Sequence, residues 1–167
     1  EPLMAALLSD FKPLLRDLQD MRASEGAALS ALLASHLDDV ARLTDAAATA
    51  AEARKDDMAR TLRVNIARVL DAGDGMDATR LAQELALIAV KADVTEEIGR
   101  LQAHVEAARV LLATDGPVGR KLDFLTQEFN REANTLCSKA QSTTLSALGL
   151  ELKAVIDQMR EQVQNVE

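Results

Sequence analysis

Apolar residues recur at spacings of four and three along most of the chain, the repeat of an amphipathic helix and not of a strand. Between Leu3 and about Ala23, the residues Leu7, Phe11, Leu14, Leu18 and Met21 form a heptad seam of the coiled-coil kind. Continuing that register puts Glu25 on the seam beside Gly26, then Ala28, Leu32, Asp39 and Leu43. Two readings of this point stay open. Either the helix runs on or bends at Gly26, a residue that costs about 1 kcal/mol against Ala in a helix, or the carboxylate at a core position has a partner or a task. Asp45–Arg60 is Ala-rich and charged with a weak stripe, and Leu62, Ile66 and Leu70 restore the period. One long antiparallel hairpin and three shorter helices both fit residues 1–70.

The clearest break is Asp71–Asp77, with two Gly and three Asp, after which Asp77 can cap a helix over Ala78–Lys91. Asp93-Val-Thr-Glu-Glu97 reads as the next helix start, its acids suiting the dipole, and that helix runs to about Ala113. A loop over Thr114–Gly119, a helix over Arg120–Lys139, a polar joint over Gln141–Thr144 and a last helix from about Leu145 to the C-terminus complete the chain. The predicted fold is all-α: an elongated helical bundle over residues 71–167 with a long N-terminal hairpin or coiled-coil-like arm over 1–70. Composition agrees, since aromatics make up 2% and Ala, Leu, Glu, Gln and Arg dominate. No run approaches the roughly 18 apolar residues of a membrane span.

With 19 basic and 27 acidic residues the net charge is −8, which argues against a diffuse electrostatic hold on nucleic acid. Contact with RNA or DNA then needs a local basic patch, or metal ions between phosphate and carboxylate. Cys137 is the single cysteine, so there is no intrachain disulfide and a reducing cytoplasm suits the chain. The opening Glu1-Pro2-Leu3 reads as the interior of a longer protein.

Two helix faces carry candidate chemistry. On the Asp93–Ala113 helix, Val94, Ile98, Leu101, Val105, Ala108 and Leu112 form the core stripe, while Asp93, Glu96, Glu97, Arg100 and His104 share another face. Carboxylates and an imidazole on successive turns can hold a divalent ion; an ordinary solvated face with a Glu96–Arg100 pair fits as well. On the Arg120–Lys139 helix, Leu122, Leu125, Phe129, Ala133 and Leu136 are the core stripe, opposite Arg120, Asp123, Gln127, Asn130, Arg131, Asn134 and Ser138. Arg, Gln and Asn have fork or amide geometries suited to phosphates, sugars and base edges, although the same groups can pair across helices inside a polar bundle. Glu128 and Glu132 lie on one flank with Lys121 and Lys139. The final helix carries Leu148, Leu152, Ile156, Met159, Val163 and Val166 as its stripe.

The run from Gly116 to Thr135, continuing to Ser138-Lys139, resembles the signature of the bacterial YicC/YloC family. The ending Met159–Glu167, the block Asp93–His104, Arg80-Leu-Ala-Gln-Glu84 and Met21-Arg-Ala-Ser-Glu-Gly26 resemble further family blocks, in the family's order. The resemblance implies a cytoplasmic endoribonuclease that cuts RNA with a divalent metal ion and works as a homo-oligomer, a hexamer forming a clamp or channel around RNA. It also implies a separate N-terminal domain that this sequence lacks.

Metal-assisted hydrolysis fits the residues better than an imidazole pair, because His36 and His104 are the only histidines. Carboxylates would hold Mn²⁺ or Mg²⁺, and the ion with Arg would stabilise charge growing on the phosphate. The candidate metal ligands are Asp93, Glu96, Glu97 and His104, with Glu128 and Glu132 possible from the facing helix, and the candidate catalytic residues are Glu97, His104, Glu128 and Glu132. Arg100, Arg120, Lys121, Gln127, Asn130, Arg131, Asn134 and Lys139 are the candidate RNA contacts. With three Phe in the chain, base stacking is expected to contribute little. A non-catalytic helical scaffold that binds RNA or a ribonuclease and modulates RNA decay is the alternative function.

Overall fold

The computed structural model describes residues 2–71 and 78–166. They form α1 (Pro2–Asp71), α2 (Ala78–Lys91), α3 (Thr95–Leu112), α4 (Gly119–Lys139) and α5 (Thr143–Val163), and no strand occurs among them. The all-α expectation holds. The expected break over Asp71–Asp77, with its cap at Asp77, lies outside the described residues from residue 72 onward.

Residues 2–71 make neither a hairpin nor three helices: α1 is one helix of 70 residues. Gly26 does not interrupt it, since the helix backbone continues through a site where an added Cβ would meet nothing within 4 Å. Pro13 is also accommodated within α1, with the loss of one backbone N–H from the helical ladder.

Along its N-terminal third α1 leaves its apolar residues exposed, the seam residues Leu7, Phe11, Leu14, Leu18 and Met21 by 46–63%. Farther on, Leu33, Leu37, Val40, Leu43 and Ala47 are buried in the core. Leu43 lies on the extrapolated seam and is buried, whereas Leu33 and Val40 stand one residue, or ~100° of helix rotation, away from the seam positions Leu32 and Asp39. Leu32 is exposed, and Asp39 pairs with Arg42 at 3.0 Å. A strict heptad stripe drifts by about 20° per repeat on a straight helix, so a seam extended over several repeats no longer faces its starting direction. The arm and the bundle portion of α1 therefore present different faces.

Four helices close the bundle. The middle of α1 packs against α3 and α5, and α4 closes the other side against the same two helices, while α2 touches α1 lightly. Phe129, Leu101, Leu122, Leu136, Leu145, Leu152, Ile156 and Met159 are fully enclosed, so the stripes expected on α3, α4 and α5 are the core. At the α4–α5 crossing the backbones come close: a Cβ on Gly149 would lie 2.5 Å from Cys137 Sγ. The link between these helices turns at Gln141, with φ of 43°, and Ser142 caps α5 by accepting from the backbone N–H of Leu145 at 3.2 Å. The last helix ends at Val163, short of the C-terminus. Among the described residues no helix is long and apolar enough to cross a membrane.

Candidate metal centre and nucleic-acid surface

The antiparallel α3–α4 pair determines which polar residues meet. Two residues ahead of α3, Asp93 accepts at its Oδ1 from the backbone N–H of Thr95 at 2.9 Å and from the Thr95 hydroxyl at 2.6 Å. These bonds hold the Asp93 carboxyl below the usual carboxylate range and tie off the start of the helix. From this start the core residues Ile98, Leu101 and Val105 set the rotation of α3. That rotation carries Glu97, Arg100 and His104 along the side facing α4.

Helix α4 meets it with Glu128, Glu132 and Lys139, residues that share one stripe by the ~100° rotation per residue. One ligand atom from each of His104, Glu128 and Glu132 lies within 4.8 Å of the others. Glu132 is 3% exposed, Glu128 is partly enclosed, and the imidazole stands edge-on to Phe129 with ring centroids 5.8 Å apart. Its Nε2 is buried with no hydrogen-bond partner among the described residues. A buried ring nitrogen left bare beside two carboxylates costs free energy in a protein interior. A cation held by the three would remove that cost; the two carboxylates suit Mn²⁺ or Mg²⁺, and the imidazole nitrogen favours a transition-metal ion such as Mn²⁺ over Mg²⁺. The residues present therefore fit a divalent ion.

Next along the groove, Arg100 Nη1 donates to Glu132 Oε1 at 3.1 Å, and its Nη2 donates to Glu96. The contact with Glu132, reinforced by the charge of Glu96, holds the guanidinium above its ordinary pKa. One turn farther, Lys139 donates to Glu97 Oε1 at 2.8 Å, which raises the Lys139 pKa. Glu97 Oε2 is buried and unpartnered. The single polar face expected on α3 is thus divided: His104 belongs to the three-residue cluster, Arg100 and Glu97 to adjacent ion pairs, Glu96 to an exposed pair, and Asp93 to the helix start.

The amide face of α4 points elsewhere. Gln127 donates to Asp123 at 2.9 Å, Asn134 to Asn130 at 2.7 Å, and Asn130 to Asp157 of α5 at 3.1 Å. Asn130 lies ~200° around α4 from Glu128, so Gln127, Asn130 and Asn134 do not share the groove of the His104 cluster. Arg131 does border it, through Glu128 at 3.7 Å. Arg120 and Lys121 lie at the α3–α4 loop end of the same helix pair, exposed. His36 is on α1, apart from these contacts.

Sequence alone makes Glu128 and Glu132 catalytic candidates and possible ligands from a facing helix, beside the four ligands it favours on and before α3. Of those four, grouping in space retains His104 with these two glutamates. Their i,i+4 relation at the edge of the buried stripe is the signal that pairs them. An apolar cleft of about 300 Å³ between α1 and the α2–α3 junction, lined in part by Met58, Leu62 and Ile88, contains none of His104, Glu128 or Glu132. Asp93 and Thr95 line that cleft, while the His104 cluster lies apart from it at the α3–α4 interface.

Known proteins resemble this chain over most of its length. It is 42% identical over 165 residues to the probable endoribonuclease YicC of Haemophilus influenzae, covering 96% of this chain and 55% of that protein. It is 34% identical over 157 residues to the probable endoribonuclease YicC of Clostridioides difficile, covering 90% of this chain and 51% of that protein. The chain spans about half the length of these curated relatives. Residues 47–167 match the family described as Endoribonuclease YicC-like, C-terminal, and the chain belongs to that family.

Proposed function

We propose that this chain is the helical part of a metal-dependent endoribonuclease, with the divalent ion held by His104, Glu128 and Glu132. The observation that carries the reading is the buried, unpartnered Nε2 of His104 beside two carboxylates from the facing helix, in a chain whose relatives are named probable endoribonucleases. An Mn²⁺ or Mg²⁺ ion bound there would supply positive charge to a scissile phosphate and a more acidic water.

The chain's own residues do the remaining work. Arg100, anchored by Glu132, holds a guanidinium beside the cluster where it can engage a phosphate oxygen bidentately. Arg131 borders the other side and Lys139 the far end, so cations flank the carboxylates along the groove. This arrangement supports local binding of a polyanion by a chain of net charge −8. RNA is the substrate in this reading, and the lone Cys137 suits action in the cytoplasm.

The exposed seam of the α1 arm supports self-association, because heptad spacing is what a second copy of the same helix would match. A homo-oligomer, with the hexamer implied by family resemblance as its form, would bring several grooves around one RNA. The test is incubation of the full-length protein with a labelled hairpin RNA, with Mn²⁺, with EDTA, and with His104→Asn and Glu132→Gln variants. Cleavage that EDTA stops and that either variant reduces by at least about 100-fold, on the scale of a lost catalytic group, agrees with the proposal. Intact but shifted RNA in every lane would support the scaffold function instead.

A further inference from the structure

Toward the loop joining α3 and α4, beyond His104 and Glu128 along the same two helices, lies an apolar trough of about 620 Å³ lined by Val110, Leu111, Phe124 and Leu125 together with Arg120, Lys121 and Glu106. Phe124 is 60% exposed and Val110 66%, although α4 buries the rest of its large apolar residues in the core. Phe124 precedes Glu128 by one turn, about 6 Å along the α4 axis. Ala107, also on the trough wall, follows His104 by three residues. Trough and cluster are therefore neighbouring stations on the same two helices.

The charges around the trough are unevenly committed. Glu106 is taken by Arg109 at 2.7 Å, whereas Arg120 and Lys121 form no ion pair among the described residues. An exposed aromatic face one helical turn from two free cations, in an otherwise acidic chain, complements a ligand that is flat and apolar at one point and anionic beside it.

We propose that this trough receives an unpaired nucleobase of the RNA, stacked on Phe124, with the adjoining phosphates on Arg120 and Lys121. The inference rests on the reading of RNA as substrate. It adds that the strand next to the cleavage cluster is single-stranded, because a base inside a duplex has no free face to stack on a side chain. The small number of phenylalanines is no obstacle, since what matters is that one of them is exposed at this position.

The experiment uses the full-length protein in EDTA, so that binding is read without cleavage. The probes are a single-stranded oligoribonucleotide carrying 2-aminopurine and a blunt duplex of the same sequence. The wild type is expected to bind the single strand more tightly and to quench its fluorescence. Phe124→Ala and Phe124→Leu should lose the quenching and weaken binding roughly tenfold, the scale of one lost stack, with unchanged circular dichroism; Phe124→Tyr should keep both. Wild-type binding and quenching in Phe124→Ala and Phe124→Leu would overturn the stacking site while leaving RNA binding intact. A fall in oligomer mass in those variants, with binding unchanged, would assign the trough to contact between copies and overturn it too. Failure of the wild type to bind either RNA would overturn the substrate class itself.

Discussion

Replacing Lys139 by Met strands the Glu97 carboxylate, which is 6% exposed and loses the ammonium that donates to its Oε1 at 2.8 Å. Its second oxygen already lacks a partner. Removing one member of a fully buried ion pair costs about 3–5 kcal/mol. Lys139 is 29% exposed, so water screens part of the interaction, and the expected cost is nearer ~2 kcal/mol. For a chain of this size that is a fall in Tm of roughly 4–8 °C. The assay is thermal denaturation followed by far-UV circular dichroism at neutral pH. The double variant Lys139→Met with Glu97→Met leaves no stranded charge and should recover most of the loss.

The pH dependence supplies a second readout. Hydrogen bonding to Glu97 and the negative charges nearby raise the Lys139 pKa above its ordinary 10.5. A raised folded pKa gives stability that is fully present below the unfolded value and is lost as pH climbs through the folded one. The gap between wild type and Lys139→Met should therefore hold from neutral pH to about 10 and close above it. An unchanged Tm, a double variant no better than the single, or a gap indifferent to alkali would refute the reasoning.

Other outcomes follow from single contacts. Asp93→Ala removes the two bonds to Thr95 and should cost about 1 kcal/mol. Because the Asp93 pKa is lowered from 3.8, its contribution is present above that value, and the difference from wild type should vanish as acid protonates it in the folded state. Gly149→Ala places a Cβ 2.5 Å from Cys137 Sγ and 3.1 Å from Leu136 Cδ2. Overpacking of about 1–3 kcal/mol should outweigh the ~1 kcal/mol gain in helix propensity, lowering the urea midpoint, and Cys137→Ala should restore it. Leu14→Asp with Leu18→Asp alters residues 63% and 46% exposed. The stability of the bundle should move by less than about 1 kcal/mol, while light scattering should show a smaller assembly.

The helical class and the core stripes of α3, α4 and α5 are legible in the sequence because a buried helix face must repeat near 3.6 residues, and Leu101, Phe129 and Ile156 obey that rule. The continuity of α1 is not. Gly26 reads as a punctuation mark, yet the helix tolerates an isolated glycine at small cost. The site is half legible. Periodicity puts Glu97, Arg100 and His104 on one side of α3, but it carries no information on which helix faces them. Packing of α3 against α4 brings Glu128 and Glu132 to His104 and turns Asn130 toward Asp157. Asp93 illustrates a different limit: an acid at a helix start satisfies backbone donors as readily as it would a cation, and sequence spacing is the same for both. Phe124 gives no signal of its own, because an apolar residue within a helix is expected in the core, and its exposure is a property of the assembled groove.

The most direct measurement is anomalous diffraction from crystals of the protein soaked in Mn²⁺. A peak within bonding distance of His104 Nε2 and of the Glu128 and Glu132 carboxylates is the expected result. A peak beside Asp93 and Glu96 on the solvent side of α3, or none between α3 and α4 at saturating Mn²⁺, would contradict the assignment of the metal centre.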